Sequence, residues 1–218
     1  MSDKSRNNND DDLLTGAFNV MISHINKKMQ NSLPVKVTKV SSDRKFVNVQ
    51  PQILVVDSEG RTIIRAEIKG IPVVTSGAGN FLISFDISVG DLGWIEASDR
   101  DISLFKQSYE QSKPNTKRMH NFSDARFVPD IMTNFVIAEE DAGALVIQNR
   151  DGSVKISLNG TRIKMQSPSD IEINGAKITP SGDVVTASGV SLNNHPHNQS
   201  NDSGGNTEQA TDAPTATE

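Results

Sequence analysis

The sequence predicts a mainly β protein. It reads as an N-terminal helix, then a small antiparallel barrel of oligonucleotide/oligosaccharide-binding (OB) size, then a β-repeat that needs three chains to close. Three observations predict this. Short alternating strands with turn formers between them follow Pro34. From Gly143 onward, turn formers recur every seven to nine residues. Only 35% of the 218 residues are hydrophobic, below the roughly 45–50% usual for a globular domain, a figure that also counts Gly. A lone monomer is short of core. Either part of it is disordered, or other chains supply what is missing.

Residues 1–12 are polar and acidic and read as a disordered arm. The helix is expected over residues 13–33. Leu14, Phe18, Met21, Ile25 and Met29 form one apolar stripe at helical spacing, and Pro34 stops it. The simplest cover for that stripe is the helix's own domain, and the other is a neighbouring subunit.

The OB-type barrel and its following loop are expected over residues 34–131. Val35 and Val37 alternate with Lys36 and Thr38. Further strand-like runs follow at Phe46–Val49, Ile53–Val56, Ile63–Ile68, Ile71–Val74, Phe81–Ile87 and Trp94–Ala97. Turns fall at Ser58-Glu59-Gly60 and Gly77-Ala78-Gly79-Asn80. Residues 99–135 are irregular, with Phe122, Phe127 and Val128 expected to anchor them to the barrel. Such barrels can bind single strands by stacking bases over a basic groove. Here aromatics are 5% of residues, net charge is −5 and no long basic run occurs. Nucleic acid is therefore not an expected partner.

The repeat is expected over residues 132–192. Its punctuation is Gly143, Gly152, Gly160, Pro168, Gly175, Gly182 and Gly189. Between these lie Val154/Ile156/Leu158, Ile163/Met165, Ile171/Ile173, Ala176/Ile178 and Val190/Leu192, with polar residues alternating. No Phe, Trp or Tyr occurs from 136 to 218. A seven- to nine-residue unit is too short for a single-chain coil, which takes about 20 or more. One strand and one corner per unit make one side of a prism, and three chains complete it. A one-chain β-meander is the plainer alternative.

Residues 193–218 form the expected apex and tail. His195 and His197 flank Pro196. Side chains two apart on an extended segment share a side, so one chain offers two imidazoles. Three chains would offer six, enough for an octahedral ion, and imidazole suits Fe, Zn, Ni or Cu. His120 reads as a structural loop residue and Glu139-Glu140-Asp141 as a solvated acidic run. With no phosphate loop, nucleophile elbow or zinc motif, no catalysis is expected. The chain has no Cys, which excludes thiolate chemistry. Its N-terminus does not read as a signal peptide.

In order along the chain come the helix ending at Leu33-Pro34, Val47-Asn48-Val49-Gln50-Pro51, Ile71-Pro72-Val73 and Gly90-Asp91. Asp99-Arg100, His120-Asn121-Phe122-Ser123-Asp124, the Gly-spaced repeat, His195-Pro196-His197 and Asn201–Gly205 follow. In this order they resemble the central tail spike, the membrane-piercing baseplate tip of contractile-tailed bacteriophages. The resemblance implies a homotrimer with OB-type barrels at its base, an intertwined triple-stranded β-helix and a metal-bound apex. It implies one iron ion per trimer, held by His195 and His197 of three chains. It also implies docking to baseplate hub or tail-tube proteins, penetration of the host outer membrane, and a place in the virion after synthesis in the host cytoplasm. No insertion here is large enough for the lysozyme-like domain that some such spikes carry, so the expected role is mechanical. A trimeric carbohydrate- or receptor-binding tail fibre domain is the alternative.

Overall fold

The computed structural model describes residues 9–195. They divide into two compact units between Met132 and Thr133. In the first unit, helix α1 spans Asn9–Lys28. It starts inside the stretch expected to be an arm, and it ends before Leu33. Ser32 and Leu33 instead open strand β1 (Ser32–Val40), where Leu33 pairs with Ile95. Leu33 packs against the barrel core, and that burial draws it out of the helix. The α1 stripe does not lie on its own domain: Leu14, Phe18, Met21, Ile25 and Met29 are all exposed.

The strands after β1 are β2 (Phe46–Pro51), β3 (Val55–Val56), β4 (Thr62–Ile63), β5 (Ile68–Pro72), β6 (Ser76–Ala78), β7 (Phe81–Ile83), β8 (Leu92–Ala97) and β9 (Ala125–Pro129). Five of them form one antiparallel sheet in the order β5-β2-β1-β8-β9. Its two edges approach each other at a parallel bridge between Val73 and Phe127, where the Val74 amide donates to the Phe127 carbonyl at 2.8 Å. The result is a partly closed five-stranded barrel sheet. The expected runs at 53–68 and 81–87 shrink to two hairpins, β3–β4 and β6–β7, outside it. In the first, Asp57 closes the turn by accepting from the Glu59 and Arg61 amides, both at 2.9 Å.

The predicted alternation sets the core. Val35, Val37, Val47, Val49, Ile71, Ile87 and Ile95 are buried, joined by Phe122, Ala125 and Phe127. Each such aliphatic or aromatic burial contributes about 1.5–3 kcal/mol. Phe122 and Phe127 thus anchor the 99–135 segment as expected. Gly93 on β8 is required by close approach. A Cβ there would lie 2.5 Å from two Phe127 ring carbons and 2.5 Å from the Val128 carbonyl oxygen.

In the second unit the repeat pairs with itself in two antiparallel meanders. One holds β10 (Leu145–Gln148), β11 (Lys155–Leu158) and β12 (Ile163–Gln166). The other holds β13 (Ile171–Ile173), β14 (Ala176–Ile178) and β15 (Val184–Val185). Two successive corners have the same construction. At Thr179–Asp183 the Gly182 amide donates to the Thr179 carbonyl, and the Asp183 amide to the Thr179 hydroxyl. At Thr186–Val190 the Gly189 amide and the Val190 amide repeat both bonds to Thr186. Gly182 and Gly189 take φ of 87° and 86°, where a Cβ is strained.

Candidate functional site

The first meander is arranged with its apolar face outward. Register sets Leu145 opposite Leu158 and Leu158 opposite Ile163. Two residues along, Ile147 faces Ile156 and Ile156 faces Met165. These six side chains form two apolar rungs on one face. Leu145, Ile147 and Ile163 are 65, 62 and 67% exposed. The other face carries Val146, Ser157 and Lys164 in one rung and Gln148, Lys155 and Gln166 in the next. Lys155 and Ser157 are buried. So the polar face is covered within the chain, and the apolar face is left open.

The cover on the polar face is the short 3-10 turn Glu139–Asp141. Lys155 reaches the carboxylate of Asp141, which is itself buried, and contacts Glu140 at 2.9 Å. Lys164 contacts Glu140 at 2.8 Å. Asp141 is therefore not part of a solvated acidic run. The β11 lysine draws it inward, because a buried charge requires a partner. Lys155, and then Ser157, hold the Asp141 carboxyl below the usual carboxylate range. Lys164 and Lys155 do the same for Glu140. Asp141 and Glu140 in turn push the Lys155 amine up. General acid/base catalysis is best served by a pKa near the working pH, and here the ionised forms of both carboxylates and of the amine are favoured.

His195 closes the described part of the chain. Its Nδ1 lies 2.8 Å from the Ser191 carbonyl oxygen and 3.0 Å from that of Leu192. A carbonyl only accepts, so Nδ1 carries a proton, and in the neutral ring the lone pair is then on Nε2. That tautomer, fixed by a backbone carbonyl, suits a metal ligand. Asp183 builds the corner beneath it. Its carboxylate accepts from the Ser191 hydroxyl at 2.6 Å and the Asn193 amide at 3.1 Å. The Asn194 amide then donates to the Ser191 hydroxyl at 3.0 Å. His197, the second expected ligand, lies outside the described residues. Among the described residues no group of three His, Cys, Asp or Glu side chains is placed to hold a metal.

The barrel unit carries a charged cluster with no motif in the sequence to announce it. Arg118 donates to both Asp124 oxygens, at 2.9 and 3.1 Å, and lies 3.2 Å from Asp101. Both carboxylates are buried. Ser103 and Thr116, with Arg118 beside them, hold the Asp101 carboxyl far below its ordinary value. This cluster pins both ends of the 101–124 excursion to the barrel. His120 acts structurally within it, with Nε2 3.3 Å from Asp99 and its carbonyl accepting from the Gln30 amide.

Among the described residues no helix is long and apolar enough to cross a membrane. No curated protein matches the chain. Residues 33–130 match the family model described as "Phage protein Gp138 N-terminal domain". The matched stretch coincides with strands β1–β9 and the Arg118 cluster. Over its barrel the chain is thus similar to a phage protein domain, which supports a phage protein.

Proposed function

We propose that three copies of this chain form the central spike of a contractile phage tail, and that sheath contraction drives it through the outer envelope of a bacterium. OB-type barrels form its base, and the repeat forms a triple-stranded β-prism to which each chain gives one side. The observation that carries this reading is the open apolar ladder of β10–β12. Its polar face is already closed by Glu139–Asp141, so the face of this meander left to pack is the apolar one. Full burial of one such side chain contributes about 1.5–3 kcal/mol, and six that are roughly half exposed hold about 5–10 kcal/mol per chain in reserve. A face of this kind left open promotes aggregation. Three of them turned to a common axis remove it from water. The absence of Phe, Trp and Tyr after Phe135 suits a narrow bore.

At the apex, His195 and His197 of three chains would hold one iron ion. The Nδ1 bonds of His195 fit that role, since with Nδ1 protonated Nε2 would be the ligating nitrogen. A six-imidazole site supplies a structural link with no position for substrate. The spike is thus mechanical and non-catalytic. Its base docks to baseplate hub or tail-tube proteins.

Sedimentation and elemental analysis of the full chain test this together. Three chains and one bound transition metal per assembly are expected. A folded monomer would overturn the prism. A trimer without metal would overturn the apex site alone.

A further inference from the structure

Helix α1 carries a seam that nothing among the described residues covers. Leu14, Phe18, Met21 and Ile25 are 60, 54, 58 and 47% exposed. Their spacing of 4, 3 and 4 residues is that of heptad positions d, a, d and a. Ile22 and Met29 both fall at position e, are also exposed, and widen the stripe. Thr15 and Ala17, at the first e and g positions, are small and uncharged, so neither blocks close approach. A 20-residue helix containing Gly16 is marginal as an isolated element in water. Its folded form calls for a packing partner.

We infer that this partner is a second and third copy of the same helix, so that α1 from three chains forms a short parallel coiled coil at the base of the assembly. The inference rests on the trimeric reading above. A regular heptad seam is the pattern that identical helices need to interlock, each knob meeting its own counterpart. Apolar residues at a, d and e give a broader face than a two-stranded seam requires.

Seam length and area agree with an accessory role. Six side chains about half exposed leave roughly 500 Å² of apolar surface per chain, short of the ~800 Å² per partner of a self-standing interface. Alone, the helices would not hold three chains together. With the chains already joined through the repeat, their association is intramolecular and gains from a high effective concentration.

The absence of native cysteine makes the test direct. Single-cysteine variants Met21→Cys, on the seam, and Ser23→Cys, at the outward f position, are made in the full chain and mildly oxidised. Each is then sedimented under native conditions and run on a denaturing gel without reductant. Met21→Cys should link two of the three chains of a trimer, several-fold more than Ser23→Cys. A trimer in which Met21→Cys links no better than Ser23→Cys overturns the coiled coil, leaves the spike reading standing, and assigns the α1 face to a different protein. A monomer overturns both.

Discussion

Gly93 and Phe127 supply the sharpest test of how the barrel closes. Strand β9 closes over β8 only because Phe127 lies flat across a position that has no side chain. In Gly93→Ala the new Cβ would sit 2.5 Å from the Phe127 ring and 2.5 Å from the Val128 carbonyl oxygen. Overpacking of this kind costs about 1–3 kcal/mol. For a domain of this size each kcal/mol lowers the midpoint by about 4–8 °C, so a fall of roughly 5–20 °C is expected. Phe127→Leu, which opens space at a fully buried site, costs on the order of 1–2 kcal/mol. In the double variant the ring half of the clash is gone and only the carbonyl half remains. The two losses should then fall short of additivity by about 1 kcal/mol. Urea titration followed through Trp94 reads this cleanly. Trp94 is the only tryptophan, it neighbours Gly93, and its indole N–H donates to Asp130 at 2.9 Å. Losses that add to within about 0.5 kcal/mol would refute the ring-over-glycine account.

Two further outcomes follow from the charged clusters. Asp101, Glu140 and Asp141 all have carboxyl groups held below their ordinary values. Their contribution to stability is fully present above about pH 4, the ordinary carboxylate value, and is lost as pH falls through the depressed folded values. Acid titration by circular dichroism should show unfolding well below pH 4, and Asp101→Asn should weaken that acid dependence; an unchanged acid limb would count against the cluster. Arg118→Met strands Asp101 and Asp124 as buried, uncompensated charges. Trypsin should then cut faster at Lys117, and Arg118→Lys should rescue little, because lysine cannot make the two-pronged contact. Equal cleavage of parent and variant would show that the cluster does not hold the loop.

Much of the fold was legible because burial follows the strand period. Val35, Val37, Val47 and Val49 announce the barrel core by alternation alone, and five of the six glycines that punctuate the repeat, Gly143, Gly152, Gly175, Gly182 and Gly189, take positive φ, whereas Gly160 does not. The same alternation hides which face is inward. It marks Lys155 and Asp141 as surface residues, because periodicity sorts side chains by face and cannot say which face a short turn will cover. The end of α1 was misjudged for a related reason. Pro34 is a strong stop signal, but Leu33 is claimed earlier by tertiary packing. The Arg118 cluster had no local signature, since Asp101, Arg118 and Asp124 meet only once the 101–124 excursion has folded back. Of the proposed apex pair, the sequence names both histidines, while the Nδ1 bonds of His195 depend on a corner set by Asp183, 12 residues earlier in the chain.

The twin corners at Thr179–Asp183 and Thr186–Val190 bear on how this molecule changes over evolutionary time. Each satisfies its own amides through one threonine hydroxyl and one carbonyl, within five residues. The backbone amides of each corner are thus satisfied locally, while the Asp183 carboxylate of the first reaches on to Ser191 and Asn193 beyond the second. Because these strands alternate in direction, seven-residue cassettes can be duplicated or deleted two at a time with every later strand keeping its direction. Length in this part of the chain is in effect a counted quantity. Selection can adjust it by adding or removing whole units, without redesigning the barrel at one end or the histidine corner at the other.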